Sequence, residues 1–134
     1  MNLRSIVTGS RNWPEGNDPQ RWRVESILSS YVNIATAMGH TVTIVVGDCT
    51  TGVDAITYRY VMEYLSKQGV KLEVHVADWN RYGKSAGPKR NRAMVESGIA
   101  GCLAFPLGES RGTRGCAKMA IAEGIPTKIF EGTV

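Results

Sequence analysis

Short apolar runs of strand length alternate with segments whose apolar residues recur at three- and four-residue steps, from one end of the chain to the other. Leu3 to Thr8 reads as a first strand. Asp18-Pro19 then supplies a helix N-cap with proline at the first helical position. Val24, Ile27, Leu28, Tyr31, Ala35 and Met38 form one face of that helix, and Gly39 closes it. Thr41 to Val46 is a continuous apolar run, the pattern of a strand covered on both sides. Thr51 caps a second helix with Val53, Ile56, Tyr60, Tyr64 and Leu65 inward, stopped at Gly69. Lys71 to Val76 predicts a third strand with Leu72, Val74 and Val76 on one face. A third helix starts near Pro88, carries Met94 and Val95, and ends at Gly98. Ala100 to Phe105 is strand four. A fourth helix begins near Thr113, buries Ala117, Ala120 and Ile121, and stops at Gly124 before Pro126. Thr127 to Phe130 is strand five.

Five strands alternating with four helices predict an α/β domain with a parallel sheet and right-handed crossovers. No repeat, linker or low-complexity segment divides residues 1–134, so one domain is expected. In a parallel sheet every strand's carboxyl end lies on one edge, where ligands bind. Four such ends lead into loops that mix glycine with arginine or a carboxylate: Gly9-Ser10-Arg11, the run from Gly47 to Asp54, the stretch from Asp78-Trp79 to Gly87-Pro88-Lys89-Arg90-Asn91, and Gly108-Glu109-Ser110-Arg111-Gly112-Thr113. Glycine there lets backbone N–H groups approach a ligand, and arginine selects an anion. A phosphate-bearing small molecule fits both.

Composition narrows the class. The 134 residues are 43% hydrophobic and 21% charged, as in a soluble globular protein. No apolar stretch approaches the roughly 18 residues that span a bilayer, and the N-terminus lacks a signal-peptide core, so a cytoplasmic protein with no membrane partner is expected. Cys49, Cys102 and Cys116 are odd in number and widely spaced, which fits a reducing compartment. With no C-x-x-C pair and with His40 and His75 isolated, no metal site and no cofactor are expected. The net charge of +4 is mild, but Arg11, Arg81, Lys84, Lys89, Arg90, Arg92, Arg111 and Arg114 all fall in or beside the four loops. A nucleic-acid surface is the weaker expectation, there being no basic run or aromatic ladder.

Gly83-Lys84-Ser85 imitates the end of a P-loop, but Asp78 stands where G-x-x-x-x-G-K-[ST] needs its first glycine. Thr51-Gly52-Val53-Asp54 opens a helix whose N-terminus attracts anions, while Asp54 either stabilises that end or addresses ribose hydroxyls or water. Lys89, Arg90 and Arg92 in the first turn of the third helix oppose the macrodipole, each at a cost of a few tenths to about 1 kcal/mol. An anionic ligand would reverse that balance. Ser110-Arg111-Gly112-Thr113 has the same logic, with Ser110 or Thr113 able to cap and Gly112 exposing backbone to a phosphate. Trp13, Trp79 and Tyr82 fall in loops and are candidates for base stacking; Trp22 is expected to pack, and His75 to lie in the core.

The series VTGSRNW, GDCTTGVDAI, ADWNRYGKSAGPKRNRAMV and LAFPLGESRGTRGCAKMAIAEGIPT resembles the YspA/cpYpsA-related SLOG family over nearly the whole chain. The resemblance implies a Rossmann-like three-layer sandwich, related to the LOG nucleotide phosphoribohydrolases and to the DNA-processing protein DprA. It also implies a nucleotide or nucleotide-derived ligand, and such members occur in bacteria and phages. LOG enzymes carry R-K-x-x-M, which Arg90 and Met94 match while Asn91 replaces the lysine. In their P-G-G-x-G-T-x-x-E, Gly112 and Thr113 match the G-T pair. Glu109 and Ser110 replace the two glycines, and Cys116 takes the glutamate position. A thiol cannot serve as acceptor for ribose hydroxyls or as a water-orienting base.

The first functional expectation is therefore a binding module for a nucleotide or its derivative. Phosphate would sit on Gly9, Ser10, Arg11, Arg90, Gly112 and Thr113, the sugar at Asp54, and the base at Trp79 or Tyr82. Gly47, Thr51, Gly52, Gly87, Pro88, Asn91, Ser110 and Arg111 complete the candidate lining. The second is an N-glycoside hydrolase of nucleoside monophosphates, with Asp54, Arg90 and Glu109 as catalytic candidates, since departure of the base leaves oxocarbenium character that a carboxylate must meet. A DprA-like single-strand DNA binder is the third. LOG relatives imply a homo-oligomer, most simply a dimer.

Overall fold

The computed structural model describes residues 1–134. Its sheet has five parallel strands in the order β3-β2-β1-β4-β5, with β1 Asn2–Gly9, β2 Thr41–Gly47, β3 Lys71–His75, β4 Gly101–Phe105 and β5 Thr127–Ile129. The register sets Ile6 beside Val45 and Cys102, so one-residue alternation sends Ile6, Val45 and Cys102 to one face and Val7, Val46 and Leu103 to the other. The helices are α1 Pro19–Ala37, α2 Gly52–Glu63, α3 Trp79–Tyr82, α4 Ala86–Val95 and α5 Arg111–Ala122. α1 and α2 cover the face bearing Val7, where Val24, Leu28, Val32, Val53 and Ile56 make the larger core. α4 and α5 cover the opposite face with Met94, Val95, Cys116 and Ala120. The architecture is the expected Rossmann-like three-layer α/β sandwich. No helix is long and apolar enough to cross a membrane.

Asp18 caps α1 as expected, its carboxylate accepting from the Gln20 N–H at 2.8 Å. Several boundaries and faces differ from the sequence reading. The buried stripe of α1 is Val24, Leu28, Val32 and Ala35. Trp22, two residues from Val24 and thus on the opposite side of a 3.6-residue turn, is exposed rather than packed, and Met38 lies past the helix end. α2 stops at Glu63, so Tyr64 points outward while Leu65, in a following 3-10 turn over Leu65–Gln68, packs. Ile121 is exposed, one step around the helix from buried Ala120. β3 is an edge strand ending at His75, which leaves Val74 half-exposed and Val76 exposed. His75 is not in the core: its Nε2 lies 2.6 Å from Glu73, on a part of the sheet face that α4 and α5 leave open. Arg4 of β1 reaches the same Glu73 and helps hold its carboxyl below the ordinary range.

Trp13 is the largest correction. It is 1% exposed, its indole N–H donates to the Gln20 carbonyl at 2.9 Å, and its ring stands edge-on to Phe105 at 5.8 Å. Phe105 in turn stacks on Phe130 at 5.1 Å. Gly132 packs so closely on the Trp13 ring that a Cβ there would collide with it. The loop after β1 is thus anchored in the core, and no ligand base stacks on this indole. Trp13→Ala is expected to cost about 3–5 kcal/mol in urea unfolding. A loss below about 1 kcal/mol would show that the ring is not a core element.

Candidate functional site

β1 and β4 lie side by side at the centre of the sheet, and their chains leave toward opposite faces, β1 to α1 and β4 to α5. That divergence opens a crevice at their carboxyl ends, the switch point where open α/β sheets bind ligands. A cavity of about 440 Å³ occupies it, lined by Thr8, Gly9, Ser10, Arg11, Asn12, Cys49, Asp54, Arg90, Asn91, Leu107, Glu109, Ser110, Arg111, Gly112 and Thr113. A second hollow of about 580 Å³ shares Arg11, Cys49, Arg90, Asn91 and Gly112 with it and extends along Asp48, Thr50, Trp79, Lys84, Gly87 and Pro88. Four chain segments far apart in sequence therefore meet at one place.

Glycines set the closeness of this assembly. A Cβ at Gly9 would collide with Val53, and one at Gly52, which has φ +70°, would collide with the Ser10 carbonyl. The Val53 N–H donates to that carbonyl at 3.1 Å, and the Thr51 hydroxyl donates to the Arg11 carbonyl at 3.0 Å. Gly9, Thr51 and Gly52 thus clamp the loop after β1 to the start of α2. The first amide of α2 is also taken: the Gly52 N–H donates to Glu15 at 2.9 Å, and Glu15 pairs with Arg59 at 2.7 Å.

Gly47 ends β2 and leaves room that a side chain would fill with clashes against the Arg90 guanidinium and the Asp54 carboxylate. Arg90, on α4, enters this space with 13% of its side chain exposed. Its Nη1 donates to Asp48 at 2.9 Å and its Nε to the Asn91 side-chain oxygen at 2.7 Å. Asn91 reaches on to the Gly112 carbonyl at 3.5 Å, tying α4 to α5. Asp54 is 8% exposed, and one of its oxygens accepts the Cys49 N–H at 3.3 Å. Burial pushes its carboxyl up to about 6; the Arg90 charge and the Cys49 amide oppose that, and Asp48 adds to it.

The start of α5 is arranged differently. Its N-cap Ser110 makes no side-chain cap, and the Arg111, Gly112 and Thr113 N–H groups have no acceptor within the protein. Ser110 is the one non-glycine residue at positive φ, +41°, a conformation that costs of order 1 kcal/mol. Glu109 stands at the rim, 86% exposed, with Arg111 3.8 Å away. Cys116 is fully buried beneath the cavity, its thiol beside Cys102 and the Thr8 hydroxyl.

Most of the sequence-predicted residues therefore converge. Gly9, Ser10, Arg11, Asp54, Arg90, Asn91, Glu109, Ser110, Arg111, Gly112 and Thr113 line the first cavity. Trp79, Gly87 and Pro88 line the second, with the Trp79 indole lying over Gly87. Gly47 opens onto a neighbouring hollow with Asp48, Asp54 and Tyr58. Thr51 and Gly52 line none of the three, and neither does Tyr82, whose ring instead carries Arg81 and Lys89 at 5.1 and 4.9 Å. Trp79 and Tyr82 sit in short α3 rather than a loop, and α4 begins at Ala86, so Pro88 falls inside its first turn, where proline is tolerated. Of the three cations placed at that end, only Lys89 is in the first turn. Asp48, Cys49 and Lys84 fall in or beside the loops named from the sequence but are not singled out there as site residues, and Asn12 and Glu15 are not named. A carboxylate directly after the last residue of β2 was a readable signal for Asp48; Glu15 had none.

The fold and its cavity define a Rossmann-like α/β protein with a polar crevice at the switch point. Over 129 residues, covering 95% of each chain, the sequence is 35% identical to the Gene 61 protein of Mycobacterium phage D29, and the chain belongs to that protein's family. No family model matches the sequence. No solved structure matches it.

Asp54 yields a pH test. Its native carboxyl holds a proton more tightly than the unfolded one, so the native state gains from it below the model-peptide value of 3.8 and loses that gain as pH rises through about 6. Asp54→Asn, which keeps the neutral shape, is expected to be more stable than the parent by up to about 3 kcal/mol near neutral pH and to lose that advantage toward about pH 4. Urea unfolding at both ends of the range measures the difference. A difference that stays constant with pH would remove the buried proton from Asp54.

Proposed function

We propose that this protein binds a nucleotide or nucleotide-derived small molecule at the β1/β4 crevice, as a SLOG-like domain. The observation that carries the reading is the start of α5: three backbone N–H groups without a protein acceptor open onto the same cavity as a buried carboxyl, Asp54. A helix N-terminus attracts an anion through those amides and the macrodipole together. The equivalent position on α2 is less favourable, because the Glu15 carboxylate and the Ser10 carbonyl occupy it. Arg11 and Arg111 line the cavity as further cations, whereas Arg90 serves chiefly to hold Asp48 and Asn91 in place. Asp54 suits ribose hydroxyls, and the half-exposed Trp79 in the adjoining hollow suits a base.

A second reading, hydrolysis of the N-glycosidic bond, has one observation in its favour: a carboxyl with a pKa near 6 can exchange a proton at neutral pH. It would not follow the LOG arrangement, since Cys116 is fully buried and offers no carboxylate.

Thermal-shift titration with nucleoside monophosphates, nucleosides and free bases tests the binding. Monophosphates are expected to raise the melting temperature more than their nucleosides do. Gly112→Pro removes one amide donor at a helix position that accepts proline, and should weaken monophosphate binding about tenfold or more while leaving the nucleoside nearly unaffected. Equal loss for both ligands, or no shift from any nucleotide, sinks the reading. Chromatography of the same mixtures decides the second: free base that appears with the parent and vanishes in Asp54→Asn is hydrolysis.

A further inference from the structure

Residues 79–95 hold five of the sixteen basic side chains and none of the twelve acids, so the rest of the chain sets eleven cations against twelve carboxylates. The net positive charge of the molecule is therefore concentrated on α3, α4 and the turn between them. Arg90 is the member of this group that enters an ion pair; Arg81, Lys84, Lys89 and Arg92 are exposed and meet no carboxylate. Arg81 and Lys89 approach the same Tyr82 ring, and Lys89 and Arg92 are neighbours three residues apart on α4. Like charges gathered in this way repel; the Tyr82 ring offsets part of that for Arg81 and Lys89, but no carboxylate pairs with any of the four. Beside them the Trp79 indole is 50% exposed, held over Gly87 at the edge of the second hollow with Lys84.

We propose that the Trp79–Arg92 surface binds single-stranded nucleic acid. Unpaired cations gathered on one stretch of the surface, though they form no run in the sequence, neutralise phosphates, and an open indole face stacks a base without regard to its identity. A duplex fits less well: its bases are already stacked, and α4 buries Met94 and Val95 against the sheet, so it does not project as a helix that could enter a groove. The inference goes beyond the cavity reading, because Arg81, Lys89 and Arg92 line neither hollow; Trp79 and Lys84 border the second one, so the three cations are what tell the two sites apart.

Fluorescence anisotropy of a labelled oligothymidylate against the full chain, over a series of salt concentrations, tests it. The expected result is binding at low salt that weakens linearly in log–log form. The triple variant Arg81→Gln, Lys89→Gln, Arg92→Gln should reduce that slope by about 2, from a loss of about 0.7 per phosphate contact, and weaken low-salt binding more than tenfold. Trp79→Ala should weaken binding about tenfold with the slope unchanged. The triple variant should keep the parent's melting-temperature shift with monophosphates; a shift missing from parent and variant alike counts against the cavity and not against this surface, whereas a shift lost in the variant alone overturns the separate surface. No oligonucleotide binding at low salt, an unchanged slope in the triple variant, equal affinity for a duplex, or binding to anionic vesicles in place of the oligonucleotide overturns the proposal.

Discussion

One guanidinium, held with little solvent between two carboxylates, organises the carboxyl edge of this sheet. Arg90 lies in space that only a glycine at position 47 leaves open, bonded to Asp48 and within electrostatic reach of Asp54. Removing a charged group from water costs several kcal/mol, which only good geometry with a partner offsets. Asp48 has that geometry at 2.9 Å; Asp54 does not, so burial dominates there and raises its carboxyl to about 6. A single cation shared by two acids thus makes them chemically unequal. The same Arg90 positions Asn91, which links α4 to α5, so the edge behaves as one connected unit.

The two helix starts that face this edge are also unequal. At α2 the fold supplies its own anion, the Glu15 carboxylate from the loop after β1, and fastens that loop with the Ser10 carbonyl. At α5 the amides stay unpaired, and Ser110 accepts a strained left-handed conformation to enter the helix. Strain of this kind persists where surrounding structure enforces it, and it concentrates at ligand sites. Of the two, the α5 start is where an external anion meets the least competition.

What could be read from the sequence follows from how far each feature depends on distant residues. The strands were legible because a sheet covered on both faces turns each central strand into an unbroken apolar run, as in Thr41 to Val46. The convergence of the four loops then followed from parallel topology alone. The fates of Trp13 and Trp22 were not legible: both are tryptophans near the start of α1, and only the helix phase and the nearby Phe105 decide that one is core and the other exposed. Arg90 looked like a free phosphate ligand because its partner Asp48 lies 42 residues away, and the α2 start looked open because Glu15 lies 37 residues from Gly52. Pairings across such separations leave no local trace.

The position of Cys116 constrains any chemistry at this edge. Its side chain is buried beneath the cavity against Cys102 and Thr8, so this first stretch of α5 offers the cavity no carboxylate. The remaining acids on the lining are Asp54 and Glu109. Glu109 is almost fully solvated at the rim, where water screens its charge. Asp54 is nearly dry, sits in the first turn of α2, and lines the same cavity as the α5 start. The unpaired amides of α5 and the one buried carboxyl on the lining therefore reach the same cavity from two different elements, and any proton transfer at this edge falls to Asp54 rather than to the Cys116 position.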